Sequence, residues 1–233
     1  PEMCESVLSE SIIGRARKNG YVEINCVNIR DFTLDKHNRV DDAPYGGGMG
    51  MLMGPQPIYD CYKSLYGDGE EKPHLIYMSP QGKTLTQQRV KELALTDRIV
   101  LLCGHYEGID QRVIDEIVDM ELSVGDFVMT GGEIPAMTVI DTVSRLVPGV
   151  LAAETSYENE SHFNGLLEYP QYTRPEEFMG KRVPEVGTIN RFPMYLFPVI
   201  TRKSNSGKGN SHSLIHSKSV PICLKKPNLP RKI

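Results

Sequence analysis

Residues 98–108, RIVLLCGHYEG, join an uninterrupted apolar run to a glycine-containing loop. The run from Arg98 to Cys103 predicts a strand that ends at Gly104. Apolar residues at every position, rather than at alternate positions, are typical of a strand in a parallel sheet that is covered on both faces. The stretch therefore predicts a buried strand of an α/β domain, with a loop at its carboxyl end.

The same pattern recurs on both sides of this stretch. His74 to Met78 predicts a short buried strand that ends at a Ser-Pro pair, and Thr86 to Leu95 predicts a helix with Thr86 as its N-cap. Val118 to Leu122 predicts a further strand, and Ile134 to Val147 has the spacing of a buried helix. Strands that alternate with helices predict an α/β fold with a parallel sheet.

The first 66 residues predict helices around one strand and a loop. Residues 1–20 have the apolar spacing of a helix, and Tyr21 to Ile29 alternates like a strand. Asp41 to Pro57 is a glycine-rich loop, and Pro55 to Tyr66 predicts a helix. A helix at the first residue, with no strand before it, predicts that an opening strand of the sheet is missing.

The composition is that of a folded protein outside the membrane. Hydrophobic residues make up 39% of the chain and charged residues 24%, and no apolar run approaches the roughly 20 residues of a membrane span. The N-terminus lacks the pattern of a secretion signal, which predicts a cytoplasmic protein. The five cysteines are scattered, without the pairs of a zinc site, and are expected to be reduced thiols.

Three glycine-bearing loops could form one ligand site. They are Pro44 to Met51 (PYGGGMGM), Cys103 to Gly108 (CGHYEG) and Val124 to Glu133 (VGDFVMTGGE). The second and third follow predicted strands, and ligands of open α/β sheets bind beyond the carboxyl ends of strands. No Gly-Lys-Ser/Thr follows the first loop, which excludes a Walker loop. The alternative is that each glycine only turns the chain.

Five strings in this order resemble one family. PYGGGMGMLM, SPQG, LLCGHYEGIDQRV, VGDFVMTGGEIPAMTVIDTVSRLVPGV and GLLEYPQYTRPE are together similar to the bacterial tRNA (guanine-N1)-methyltransferases, over roughly residues 1–186. The resemblance implies a SPOUT-class α/β domain with a trefoil knot in its C-terminal part. It also implies a homodimer with active sites at the subunit interface and S-adenosylmethionine bound within the knot loops.

The resemblance assigns cofactor and RNA contacts to particular residues. The glycine-rich loop is expected to contact the tRNA through Tyr45, Gly46, Gly47 and Gly48. The residues implied to hold the cofactor are Tyr77, Met78, Pro80, Gly104, Tyr106, Glu107, Ser123, Val124, Gly125, Asp126, Phe127, Val128, Met129, Gly131, Gly132 and Pro135.

Two residues match the positions of the family's catalytic pair. Arg145 matches the arginine that stabilises charge growing on O6 of guanine, and Glu160 stands where the family usually carries the aspartate that removes the N1 proton. Glu158 is a competing carboxylate, and both could be solvated loop residues. Arg145 could likewise be only an ion-pair partner at a helix end.

Metal binding is not predicted from the histidines, although Mg²⁺ remains a possible cofactor. Neither His105 nor His162 has a second ligand at suitable spacing. Asp126 and Glu133 could face either the amino group of the cofactor or a magnesium ion.

The chain departs from the family pattern after residue 186. Residues 1–151 are predicted to form the methyltransferase domain, 152–165 a linker, and 166–186 the start of a tRNA-binding domain. Residues 187–233 contain nine Lys or Arg, no Asp or Glu and no periodicity, which predicts a disordered tail. Reading a back-translation of this tail two nucleotides later can give family-like helical text, so an out-of-frame translation is our hypothesis for it.

The predicted function is S-adenosylmethionine-dependent methylation of N1 of the guanine at position 37 of tRNA, just 3′ of the anticodon. Two alternatives remain open at the level of the sequence. One is a knot-domain remnant that dimerises and binds the cofactor without catalysis. The other is a SPOUT methyltransferase that acts on a different RNA.

Overall fold

The computed structural model of the protein describes residues 1–152, 157 and 160–184, together with the backbone of residues 222–225. The chain divides into two compact units. Of the described residues, 1–152 and 222–225 belong to the first unit, which contains a five-stranded sheet, and 157 and 160–184 belong to the second.

The N-terminal part of the first unit consists of short elements. In chain order they are α1 (Glu2–Leu8), α2 (Ser11–Lys18), β1 (Glu23–Cys26), the 3-10 helix η1 (Ile29–Phe32), β2 (Asp41–Asp42), β3 (Leu52–Met53) and α3 (Pro55–Lys63). The single helix predicted over residues 1–20 is wrong. Glu10 is extended, with φ −107° and ψ 167°, and interrupts the helix after Ser9.

The remaining elements of the first unit alternate strands with helices, as the sequence predicts. They are β4 (His74–Thr84), α4 (Gln87–Ala94), β5 (Arg98–Cys103), α5 (Gln111–Ile117), β6 (Met120–Ser123) and α6 (Glu133–Ser144). Thr86 is confirmed as the N-cap of α4, since its Oγ1 accepts a hydrogen bond from the backbone N–H of Arg89 at 3.3 Å.

The central strands run parallel, which confirms the predicted α/β fold with a parallel sheet. The strand order is β1, β9, β5, β4, β6, where β9 is Ile222–Lys225. Strand β4 pairs in parallel with both β5 and β6, whereas β9 pairs antiparallel with β1 and β5. The carboxyl ends of β4, β5 and β6 therefore meet at one edge of the sheet.

Strand β4 extends to Thr84, beyond the predicted end at Met78, because it pairs with β6 a second time after an interruption. Leu122 pairs with Met78 and again with Lys83, so residues 79–82 bow out of the ladder. Pro80, within this bow, has no N–H to donate to a neighbouring strand. The bow places four residues of β4 at the edge where the other strands end.

Helices cover both faces of the sheet. Residues of the strands alternate between two apolar cores, so that Ile99 and Leu101 belong to one and Val100 and Leu102 to the other. The first core is closed by α1, α2, α4 and α6, and the second by η1, α3 and α5. Burial on both sides explains why β5 is apolar from Ile99 to Cys103.

The second unit is described for residues 157 and 160–184 only. Its regular structure there is a two-stranded hairpin of β7 (Glu177–Phe178) and β8 (Lys181–Arg182). The side chains of Glu177 and Arg182 form an exposed ion pair at 3.0 Å. Most of the tail predicted to be disordered lies outside the described residues, and its residues 222–225 form β9.

Candidate active site

A cavity of about 350 Å³ opens where β4, β5 and β6 end. Three segments line it: the bow of β4, the loop that follows β5, and the loop between β6 and α6. Its position beyond the carboxyl ends of parallel strands is the usual ligand site of open α/β sheets. Its volume falls within the range of small-molecule pockets in proteins.

Nearly all of the residues that the resemblance assigned to the cofactor line this one cavity. Gly125 and Asp126 are the two that do not. The others are Tyr77, Met78, Pro80, Gly104, Tyr106, Glu107, Ser123, Val124, Phe127, Val128, Met129, Gly131, Gly132 and Pro135.

Several polar residues of the wall were not predicted from the sequence. Gln111 lies in the first turn of α5, and Glu121 lies in β6 beside Tyr77, its neighbour in the ladder. The pairing of β6 with β4, which places Glu121 there, was not available from the pattern of β6 alone. The further wall residues are Ser79, Gln81, His105, Gly108, Ile109, Ile114, Leu122 and Thr130.

Close backbone packing joins two of the lining loops. The N–H of Gly132 donates to the carbonyl of Gly104 at 3.0 Å. A Cβ on Gly132 would stand 2.7 Å from Cα of Cys103, closer than real Cβ contacts, so only glycine fits without a shift. Gly132 thus allows the loop before α6 to lie against the end of β5.

A buried pair of ionisable side chains lies behind the same loops. Nε2 of His105 and Oε1 of Glu133 are 2.5 Å apart, and these residues are 7% and 4% exposed. Glu133 is the first residue of α6, where the partial positive charge of a helix N-terminus favours a carboxylate. The contact fixes the loop after β5 to the start of α6.

Two tyrosines contribute to the wall as neutral groups. Burial, with a smaller contribution from the charge of Glu121, raises the pKa of Tyr77 to about 12. Burial and Asp41 also raise the pKa of Tyr106, against the effect of Arg30, whose guanidinium lies 3.4 Å from the Tyr106 hydroxyl. Both hydroxyls therefore remain protonated at neutral pH.

The glycine-rich loop is anchored to the cavity wall. Strands β2 and β3 form its base. Backbone hydrogen bonds then connect the segment from Met51 to Met53 with the loop after β5: Glu107 donates to Met51, Met53 donates to Gly108, and Asp110 donates to Met53, each at 3.0 Å.

The tip of the glycine-rich loop projects into solvent. Tyr45 is fully exposed. Gly46, Gly47 and Gly48 have φ of 86°, 86° and 147°, in a region that favours glycine. A Cβ on Gly46 or Gly47 would meet nothing within 4 Å, so the backbone conformation rather than crowding requires glycine there.

The two predicted catalytic residues lie in different units. Arg145 is the C-cap residue of α6 in the first unit and is half-buried. Glu160 lies in a turn of the second unit, where its N–H donates to the carbonyl of Tyr157 at 3.3 Å. The competing Glu158 lies outside the described residues.

Over the described part of the chain, two further properties are established. No helix there is both long and apolar enough to cross a membrane. The same residues contain no group of three His, Cys, Asp or Glu side chains that could hold a metal ion.

The chain is similar to known tRNA (guanine-1)-methyltransferases. The family model for tRNA (Guanine-1)-methyltransferase TrmD matches residues 1–189. The tRNA (guanine-N(1)-)-methyltransferase of Ruminiclostridium cellulolyticum is 62% identical over 186 residues, with 80% of each chain covered. Its counterpart in Alkaliphilus oremlandii is 55% identical, with 81% of this chain and 78% of the relative covered.

A solved structure agrees with these relatives. The crystal structure of tRNA (m1G37) methyltransferase from Aquifex aeolicus superimposes with a TM-score of 0.67 at 42% sequence identity. The alignment covers 79% of this chain and 77% of the Aquifex chain.

Proposed function

Because the chain belongs to the tRNA (guanine-1)-methyltransferase family, we propose that it methylates N1 of the guanine at position 37 of tRNA with S-adenosylmethionine. The observation that carries the proposal is the single cavity at the ends of β4, β5 and β6, which gathers the glycine loops expected to hold the cofactor. The comparisons do not favour a non-catalytic remnant or a different RNA substrate.

The wall of the cavity fits the cofactor chemically. Apolar and aromatic side chains such as Tyr77, Ile109 and Pro135 suit an adenine ring, and the polar groups of Glu107 and Gln111 suit ribose and amino-acid groups. At Gly104, a Cβ would stand 3.0 Å from the Tyr77 ring, so glycine keeps this part of the wall open. When bound, S-adenosylmethionine supplies an activated methyl group.

The proposed chemistry uses one carboxylate and one cation. Guanine N1 carries a proton that must leave, and Glu160 accepts it as general base. Negative charge then grows on O6 of guanine, where the Arg145 guanidinium stabilises it. Relative to the family's usual aspartate, Glu160 has one more methylene, which moves its carboxylate by about 1.5 Å, a displacement large enough to matter for rate.

The glycine-rich loop is proposed to contact the tRNA. Tyr45 presents an exposed aromatic ring on which a base can stack, and Gly46, Gly47 and Gly48 let the RNA backbone approach closely. The backbone hydrogen bonds that Met51 and Met53 form with the loop after β5 connect this RNA contact to the cofactor site.

Further properties of the family are proposed for this chain in the same way. The bow of β4 and the loops after β5 and β6 form a trefoil knot of the SPOUT class. Two copies form a homodimer with the active site at their interface, and the protein works in the cytoplasm. Mg²⁺ is a cofactor to test by addition, although Asp126 and Glu133, the carboxylates expected from the sequence to face the cofactor or a magnesium ion, do not line the cavity, and Glu133 is buried against His105.

The test is methyl transfer from labelled S-adenosylmethionine to a tRNA transcript with guanine at position 37. We expect label in that transcript and none in a transcript with adenine at this position. Arg145→Ala and Glu160→Gln should each lower kcat by roughly 100-fold or more, within the range for loss of a charge-stabilising or acid–base group. Cofactor binding with no transfer to either transcript would contradict the proposal.

Glu160→Asp is the matched test of the carboxylate. Because it restores the family's usual residue, we expect kcat to be retained or raised. If Glu160→Gln is as active as the original chain, Glu160 is not the base, and Glu158→Gln becomes the variant to measure.

A further inference from the structure

Strand β9 is the only strand that joins β1 to the rest of the sheet in the described part of the chain. Residues Glu23 to Cys26 of β1 pair with Lys225 to Ile222. The same four residues pair on their other side with Arg98 to Leu101 of β5. Ile222–Lys225 thus occupies a full strand position between two strands that do not pair with each other.

The gap that β9 fills is one strand wide. Neighbouring strands lie about 4.8 Å apart, so β1 and β5 are separated by roughly twice that distance, which is too far for direct hydrogen bonds. Without β9, the backbone groups of β5 that face the gap would lose their partners. With β9 in place, Ile99, Val100 and Leu101 are each 1% exposed, so the part of β5 that β9 contacts lies in the interior of the domain.

Both strands that flank β9 lead to the candidate active site. Strand β5 continues into Gly104 and the loop that lines the cavity. Strand β1 continues to η1, whose Arg30 donates a hydrogen bond to the hydroxyl of Tyr106 in the cavity wall. The strand between them therefore fixes the relative positions of two parts of the site.

We propose that the groove between β1 and β5 is a strand-accepting site, and that the chain's own segment Ile222–Lys225 is its occupant and holds the methyltransferase sheet together. The sequence of this segment, ICLK, supplies apolar residues of the kind that suit a strand in a covered sheet. Recognition rests on backbone hydrogen bonds, as in other cases of strand addition. The proposed effect of β9 on the active site rests on the proposed function, whereas its position between β1 and β5 does not.

The first test is amide hydrogen exchange on the full chain. We expect slow exchange at all four amides of Ile222–Lys225, which point alternately to β1 and β5, and at the amides of β1 and β5 that face β9. If the amides of residues 222–225 exchange as fast as those of an unstructured peptide, the proposal is overturned. This measurement needs no variant and does not depend on catalysis.

The second test removes one hydrogen-bond donor within the strand. Cys223→Pro should lower Tm by roughly 5 °C or more and speed exchange in β1 and β5, because proline cannot donate within a ladder. Asn228→Pro, outside the strand, should leave both unchanged, and Cys223→Val controls for loss of the thiol. Equal Tm and equal exchange for Cys223→Pro and Asn228→Pro would overturn the proposal.

A synthetic peptide of residues 215–228 tests the groove directly. Added to Cys223→Pro, it should bind and restore slow exchange in β1 and β5, whereas the same peptide with proline at position 223 should not. Restored exchange without methyl transfer would support the groove and count against the proposed function alone. Failure of the peptide to bind, with Cys223→Pro folded, would count against the groove alone.

Discussion

Gly132 shows how a single side chain would change the cavity wall. Its backbone lies in the helical region, with φ −83° and ψ −7°, so an L-residue there would not be strained. In such a conformation, replacing glycine with alanine usually stabilises a protein by about 0.4–1 kcal/mol through the unfolded state. The Cβ at 2.7 Å from Cys103 opposes this, since overpacking costs about 1–3 kcal/mol.

We expect Gly132→Ala to lower the free energy of unfolding by about 1–2 kcal/mol, because the overlap outweighs the entropic gain. The loops should also separate, so cofactor affinity should fall. Denaturant unfolding and calorimetric titration with S-adenosylmethionine measure the two effects. Gly67→Ala is the control, since its Cβ meets only the flexible Glu70 side chain at 3.6 Å. Unchanged stability of Gly132→Ala would show that the two loops can separate without cost.

Tyr77 should make the free energy of unfolding fall as the pH rises above 10. Its folded-state pKa of about 12 exceeds the unfolded value near 10, so the folded state holds the proton more tightly. Its stabilising effect is complete below pH 10 and is lost as the pH rises towards 12. Tyr77→Phe should therefore lose less stability than the original chain over this interval, by at most about 1.4 kcal/mol per pH unit. Urea unfolding at pH 9, 10 and 11 measures the difference, and parallel curves would contradict it.

At the scale of elements, the sequence predicts strands and helices more accurately than their connections. Continuous apolar runs identify β5 and the start of β4 because both faces of the sheet are covered. The extension of β4 through Pro80 could not be predicted, since it depends on Leu122 pairing with two separate residues. Strand β9 could not be predicted because its partners are distant in sequence and the surrounding composition indicated disorder.

The position of the candidate site could be predicted from the sequence, but not the full set of residues that line it. Glycine loops after predicted strands indicated a pocket from sequence alone, but the resemblance supplied the individual residues. Glu121 was missed because it reaches the cavity through its position beside Tyr77 in the sheet. Pairing between strands is a tertiary property that local patterns do not contain.

The N-cap of α4 provides an element-scale prediction. Thr86→Ala removes the hydroxyl that accepts from the N–H of Arg89 and should lower the free energy of unfolding by about 1 kcal/mol. Thr96→Ala, a partly exposed residue beyond the other end of α4, is the matched control and should have a smaller effect, since its side chain caps no helix. Equal effects of the two substitutions would mean that the cap contributes nothing measurable.

The glycine-rich loop gives a prediction about RNA binding. Tyr45→Ala should weaken tRNA binding by roughly 5- to 100-fold if a base stacks on this ring, which corresponds to about 1–3 kcal/mol. Because Tyr45 packs against nothing in the fold, Tm and cofactor affinity should not change. Filter binding with labelled tRNA measures the effect. Tyr59→Ala, a partly exposed tyrosine of α3, is the control, and equal losses would indicate a nonspecific effect.

For the whole molecule, the cavity and the proposed base belong to separate units. The lining residues all fall between Tyr77 and Pro135 in the first unit, whereas Glu160 is in the second. Cofactor binding and catalysis should therefore be separable by substitution. Arg145, at the end of α6, belongs to the unit that contains the cavity.

S-adenosylmethionine at 100 times its Kd should stabilise the chain by about 2.7 kcal/mol through mass action, and thermal unfolding should show a corresponding rise in Tm. Glu160→Gln should keep this rise while methyl transfer is lost. If Glu160→Gln also abolishes the rise in Tm, the second unit takes part in binding the cofactor, and the separation is wrong.

The coverage of β5 on both faces has a consequence for how the chain reaches this structure. A shift of β5 by one residue would exchange Ile99 and Leu101 with Val100 and Leu102 between the two cores, and every exchanged side chain would still be aliphatic. Hydrophobicity alone therefore distinguishes poorly between the native alignment and a misaligned one. The alignment must be selected at the polar ends of the strand, where Arg98 donates to the Leu65 carbonyl and Gly104 accepts from Gly132.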